Sequence, residues 1–138
     1  MQRRLTRTGR LLALLITGTV LLAGCGAGTS TDGTTLDPAA FANLTDSPDV
    51  VVLDVRTPEE FADGHLPDAV NLDLQDPAFT GKVAALDPDA EYAVYCRSGN
   101  RSATAMAIMR DAGIDSVAHL GGGIVAWADA GGEIVGGP

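Results

Sequence analysis

Cys96 heads the segment Cys96-Arg97-Ser98-Gly99-Asn100-Arg101-Ser102. The run Glu91-Tyr92-Ala93-Val94-Tyr95 precedes it, and an alanine-rich stretch follows. A thiol between a strand end and a helix N-terminus, among backbone amides and two arginines, is favoured as its thiolate, the nucleophilic form. Gly99 reaches backbone angles closed to other residues, so the loop can curl with its amides inward as a concave anion nest. Ser98 and Ser102 can add hydroxyl donors, and Arg101 can cap the nest or grip an anion with two parallel N–H groups. These residues suit a thiolate that attacks an anionic substrate and then carries the transferred group on sulfur.

The charge pattern reinforces that reading. All 18 acids lie beyond Cys25, with only five cations, Arg56, Lys82, Arg97, Arg101 and Arg110, leaving −13 on that part of the chain. Such a balance disfavours nucleic acid or anionic lipid as an electrostatic partner. Two of the five cations sit in the Cys96 loop, which marks it as a local positive site on an acidic protein.

The N-terminus reads as an export signal. Arg3, Arg4, Arg7 and Arg10 precede an apolar run from Leu11 to Ala23, followed by Gly24 and Cys25. This is a basic region, an apolar region and a small-residue cleavage site. The apolar run is short of the ~20 residues that span a bilayer. Leu22-Ala23-Gly24-Cys25 resembles the lipobox of bacterial lipoproteins. That resemblance implies a signal peptide over residues 1–24, a lipid on Cys25 and a place on the extracytoplasmic face of the cell membrane, or on the outer membrane in a cell that has one. Cys96 is then the only free thiol, and no intramolecular disulfide can form. Residues 26–35, rich in Gly, Ser and Thr, read as a flexible tether from the lipidated Cys25, and residues 36–138 as one domain.

The elements that must position the loop are legible in outline. Asp37-Pro38 starts a helix to about Leu44, with Asp as N-cap and Pro at its first position. Val50 to Val55 is a run dominated by β-branched valine, as in a strand buried on both faces. Thr57-Pro58-Glu59-Glu60 is a capping box for a short helix ending at Asp63, before Gly64. A short strand is expected over 69–73, weak helix over 77–86, and a strand over 91–95. A helix over 101–112, buried on most sides, should follow, then a strand over 116–119 and a helix over 124–130. Strands alternating with helices predict an α/β domain with a central, mostly parallel sheet, whose sites form where strands end and helices begin.

Three motifs in order carry a family resemblance. The loop from Cys96 to Ser102, with four residues between Cys96 and Arg101, resembles the active-site loop of rhodanese-like sulfurtransferases. Residues 54–72, with Asp54-Val55-Arg56, Glu60-Phe61, Gly64-His65 and Ala69-Val70-Asn71, resemble the family's upstream motif. Residues 119–127 resemble its downstream Leu-x-Gly-Gly and Ala-Trp ending. The resemblance spans residues 36 to 134 and implies a five-stranded sheet flanked by helices. It implies that Cys96 takes sulfane sulfur from thiosulfate or another persulfide donor and passes it to a thiol, protein or cyanide acceptor. Residues 97–102 would cradle the persulfide, Arg101 would hold the anionic donor, and an Arg56–Glu60 ion pair would buttress the site.

Related phosphatases have five residues between cysteine and arginine, so this shorter loop disfavours phosphate and arsenate chemistry. A non-turnover persulfide carrier or redox sensor for a protein partner is the competing reading. Asp68 stands where the family usually has Gly, and Gly123 where a bulky aromatic is frequent, which would open the pocket. Asp54 reads as strand-end scaffold that can accept loop hydrogen bonds. His65 and His119 read as structural, Trp127 as core. Two histidines and one free thiol show no ligand spacing, so neither a metal nor a cofactor is expected, and the protein is expected to be monomeric.

Overall fold

The computed structural model describes residues 32–136, with side chains from residue 34 onward. Residues 1–31, which include the expected signal peptide, Cys25 and the first part of the expected tether, lie outside the described residues. Within them the order is β1 (Asp32–Leu36), α1 (Pro38–Thr45), β2 (Val50–Asp54), α2 (Pro58–Asp63), β3 (Val70–Asn71), α3 (Phe79–Val83), β4 (Glu91–Tyr95), α4 (Asn100–Asp111), β5 (Val117–Leu120) and α5 (Gly123–Asp129). The five strands form one sheet in the order β1-β5-β4-β2-β3, with every pairing parallel.

Side-chain alternation along the central strand divides the core in two. Tyr92, Val94 and Cys96 face a cluster that includes Phe79, Val83, Ala105, Met109 and Ile114, contributed mainly by α3 and α4. Ala93 and Tyr95 face Phe41, Leu66, Leu120, Ile124 and Trp127, with α1 and α5 on that side. The sheet is therefore covered on both faces, as an all-parallel sheet requires.

Local caps set the helix starts as their residue types dictate. Asp37 Oδ1 accepts from Ala40 N at 2.8 Å, ahead of Pro38. Thr57 Oγ1 accepts from Glu60 N at 3.3 Å while Glu60 Oε2 accepts from Thr57 N at 3.1 Å, a complete capping box.

Two expectations change, and Asp68 gains a setting. Residues 32–35 are not tether but part of the edge strand β1, because pairing with β5 satisfies a backbone whose Gly and Thr content gave no apolar signal. Helix α4 is not buried on most sides. Ser102, Ala105 and Met109 form its buried stripe, while Ala107 is exposed, so the small residues around them reflect propensity rather than core. Asp68 is the one non-glycine residue at positive φ among those described, at 58°, and it lines a cavity of about 570 Å³ with Asp46, Leu66, Trp127 and Glu133. None of residues 96–102 lines that cavity.

The end of β2 is held by a buried ion pair. Asp54 is fully buried and Arg56 is 5% exposed. Arg56 Nη2 lies 2.6 Å from Asp54 Oδ2 and also donates to Gly64 O at 2.7 Å, while its backbone N donates to Asp54 Oδ1 at 2.9 Å. Removing one partner of such a pair leaves an uncompensated buried charge. Asp54→Ala is therefore expected to cost about 3–5 kcal/mol of folding stability, measured by urea denaturation; a loss within the range of an ordinary surface substitution would contradict this account.

Candidate active site

Cys96 follows β4 directly, and the chain must turn sharply there to enter α4. Gly99, at φ 100°, makes the turn and is the N-cap of α4 with no side-chain cap. The first amides of the helix are thus left without intrahelical partners, and they turn towards sulfur. Gly99 N donates to Cys96 Sγ at 3.1 Å, and the Ser102 hydroxyl lies 3.5 Å from the same atom.

Burial pushes the Cys96 thiol up. The Ser102 hydroxyl and the amides of Ser102, Gly99 and Ser98 push it down and prevail, so its pKa falls below the ordinary thiol value. At 1% exposure this is a buried thiol whose charge is held by backbone dipoles and one hydroxyl.

The loop's outward carbonyls are taken by the start of α5. Ile124 N donates to Cys96 O at 2.8 Å and Val125 N to Arg97 O at 3.3 Å. That approach explains Gly123. At φ 60°, a Cβ on it would lie 2.4 Å from Arg97 C and O and 2.5 Å from Cys96 O. The expectation that Gly123 opens the pocket is corrected. It is the second glycine of the Leu-x-Gly-Gly pair, packed on the loop's backbone, and Ile124 is the bulky residue that follows.

The cations are distributed differently from the sequence reading. Arg56 pairs with Asp54 and not with Glu60. Glu60 instead grips Arg101, with Nη1 to Oε2 and Nη2 to Oε1 both at 2.7 Å. The expected Arg56–Glu60 pair gives way because Asp54, two residues before Arg56, reaches its guanidinium inside the core. Arg101 is thus a strut tying α4 to α2, its fork already filled by a carboxylate. Arg97, Ser98 and Asn100 are exposed, and Arg97 forms no ion pair among the described residues. Asp54 holds Arg56 and is also bonded to Tyr95, the residue before Cys96; burial and that bond push the Tyr95 phenol up, so it stays protonated.

The two histidines part company. His65 Nδ1 meets Phe61 O at 2.9 Å and its ring stacks on Phe61, a structural role. His119 is 5% exposed and meets Ser102 Oγ through Nδ1 at 3.0 Å, one bond from the sulfur. Sequence spacing offered no sign of this contact across 17 residues.

This fold and this cysteine loop define a class. The chain belongs to the rhodanese-like domain family, whose model matches residues 37–130. It is 40% identical over 92 residues to a sulfurtransferase of Allochromatium vinosum, covering 67% of this chain and 84% of that protein. Relatives from Synechocystis and Arabidopsis thaliana, at 37% and 38% identity, are matched over only 53% of their length. Among solved structures, a rhodanese-related protein of Thermoplasma volcanium superposes with a TM-score of 0.66 at 29% identity, over 74% of this chain and 97% of that one. A thiosulfate sulfurtransferase of Pseudomonas aeruginosa gives 0.65 at 25% identity, over 77% and 21%.

Arg101 holds the Glu60 carboxyl at about 2, well below its ordinary 4.5, with the capping amide of Thr57 helping against burial. A depressed carboxyl pKa stabilises the fold in full above the ordinary value, and that contribution is lost as pH falls through the folded one. Acid titration should therefore show a stability loss between about pH 4.5 and 2 that is absent in Arg101→Leu, with the Glu60 carboxyl resonance of that variant titrating near its ordinary value. An unchanged Glu60 titration in Arg101→Leu would refute the strut.

Proposed function

We propose that the protein is a sulfurtransferase that moves sulfane sulfur through a persulfide on Cys96. The observation that carries this reading is a buried sulfur held by Gly99 N and the Ser102 hydroxyl inside a loop with four residues between Cys96 and Arg101. That cradle places donors where the charge of a sulfur-bound product would sit. The sulfurtransferases among the relatives support the same chemistry.

In the first half-reaction the Cys96 thiolate attacks the outer sulfur of a small anionic donor such as thiosulfate. A Cys96 S–S bond forms, the donor's S–S bond breaks, and sulfite leaves with the bonding electron pair. Exposed, unpaired Arg97 meets the incoming anion, while the amides of residues 97–102 stabilise the resulting persulfide anion. In the second half-reaction an acceptor thiolate or cyanide attacks the outer sulfur, and Cys96 leaves as the thiolate. The cycle returns Cys96 to its starting state with no second cysteine and no external oxidant.

Incubating the full chain with thiosulfate should add the mass of one sulfur to the Cys96 peptide, and cyanide should then release thiocyanate. Cys96→Ser should do neither. Equal thiocyanate formation by the two proteins would sink the proposal, whereas sulfur uptake without thiocyanate release would favour a dedicated carrier over a turnover enzyme.

We also propose that the domain works from a lipid anchor on Cys25, as the sequence Leu22-Ala23-Gly24-Cys25 supports. In a bacterial host Cys25→Ser should move the protein from the membrane to the soluble fraction and abolish palmitate labelling. Unchanged fractionation and labelling would remove the anchor from this account.

A further inference from the structure

Behind the sulfur a chain of polar atoms continues past the Ser102 hydroxyl to His119 and Thr35, two residues that the sulfur-transfer steps do not use. Cys96 Sγ is 3.5 Å from Ser102 Oγ, Ser102 Oγ is 3.0 Å from His119 Nδ1, and His119 Nε2 is 2.9 Å from Thr35 Oγ1. Cys96 and Ser102 are buried, His119 is 5% exposed, and Thr35 on the edge strand is exposed. The chain therefore runs from the reacting atom to the surface. Gly121 makes its outer end possible: a Cβ there would lie 2.9 Å from Thr35 Cγ2, so the bare glycine lets β1 seat Thr35 against the histidine.

We propose that His119 is a positioning residue whose ring tautomer aims the Ser102 hydroxyl and conducts the Cys96 proton to solvent at Thr35. With hydrogen on Nε2, the ring donates to Thr35 Oγ1, Nδ1 accepts from the Ser102 hydroxyl, and Ser102 Oγ accepts from the Cys96 thiol. With hydrogen on Nδ1, the ring donates to Ser102 Oγ and Thr35 donates to Nε2. The Ser102 hydrogen then chooses between Gly99 O, 3.1 Å away, and sulfur, and the charge of a thiolate or persulfide draws it to sulfur.

The two arrangements differ by one proton, and every polar atom in each is satisfied. Conversion passes the thiol proton to Ser102 Oγ as the Ser102 proton moves to Nδ1. The Nε2 proton passes to Thr35 Oγ1 as the Thr35 proton leaves to water. Nothing is oxidised or reduced. The ring must be neutral for this exchange, and burial, with no charged neighbour contributing, lowers the His119 pKa. The groups that meet the ring are Thr35 from β1 and Ser102 from α4, with the Cys96 sulfur at the end of β4 reached through Ser102.

The inference rests on Cys96 being the reacting thiol, and it is tested independently of sulfur cargo. The rate of iodoacetamide alkylation at the Cys96 peptide of the full chain, followed by mass spectrometry against pH, reports the thiolate fraction. His119→Leu should move the midpoint up by about one pH unit, lowering the rate near neutral pH about tenfold. Thr35→Val, at an exposed position where only the hydroxyl is lost, should move it in the same direction by less. Wild-type midpoints in both folded variants would overturn the proposal. If His119→Leu does not fold, Thr35→Val decides alone, and an unchanged midpoint overturns it. Failure here would leave thiosulfate uptake by Cys96 untouched, and failure of uptake would leave the alkylation result standing.

Discussion

The site depends on where the carbonyls of the Cys96 loop go. A tight loop presents as many C=O as N–H groups, and its amides can face an anion only if its carbonyls are satisfied elsewhere. Here the first amides of α5 take them, at Cys96 O and Arg97 O. Two consequences follow. Gly123 must lack a side chain, because that approach leaves no space for one. The amides of the loop and of the first turn of α4 are then free to lower the thiol pKa against the cost of burying it. A helix start on one strand–helix junction thus completes the electrostatics of the neighbouring junction.

A second constraint is the scarcity of cations on an acidic chain. Five basic side chains face 18 acids beyond Cys25, and two of the five are committed to carboxylates at the site. The Asp54–Arg56 pair is buried and fixes the end of β2; the Glu60–Arg101 pair is half-exposed and ties α2 to α4. Glu60 caps its own helix and anchors another at once, which couples the entry angle of α2 to the shape of the loop. The positive character of the site therefore comes from backbone amides and exposed Arg97 more than from Arg101. Amides held by the fold need no rearrangement when charge develops on sulfur, whereas a flexible side chain would have to be ordered first.

Helix starts and central strands are legible in the sequence because their physics is local. Asp37-Pro38 and the Thr57–Glu60 capping box specify helix starts within four residues, and both helices begin where those residues place them. The β-branched run of β2 and the apolar β4 locate the two central strands. The edge strand β1 was missed because an edge strand of Gly and Thr gains its order from a neighbour over 80 residues away in sequence. The Arg56–Glu60 pairing was misread for a related reason. The family resemblance implied that pair, but Arg56 precedes the helix and turns into the core, while Arg101 arrives from 41 residues away.

The sequence by itself determined the candidate thiol, its spacing of four residues from Arg101, the alternation of strands and helices, and the glycine that turns the chain at residue 99. These follow from residue type and near-neighbour spacing, which set backbone angles, caps and periodicity. Only the tertiary structure decided which acid holds which arginine, why Gly123 is bare, and that His119 stands one hydroxyl from Cys96. Each of those is a contact between segments far apart in the chain. Distances of about 3 Å between such segments are fixed by how the strands order and the helices pack, and no local pattern encodes them.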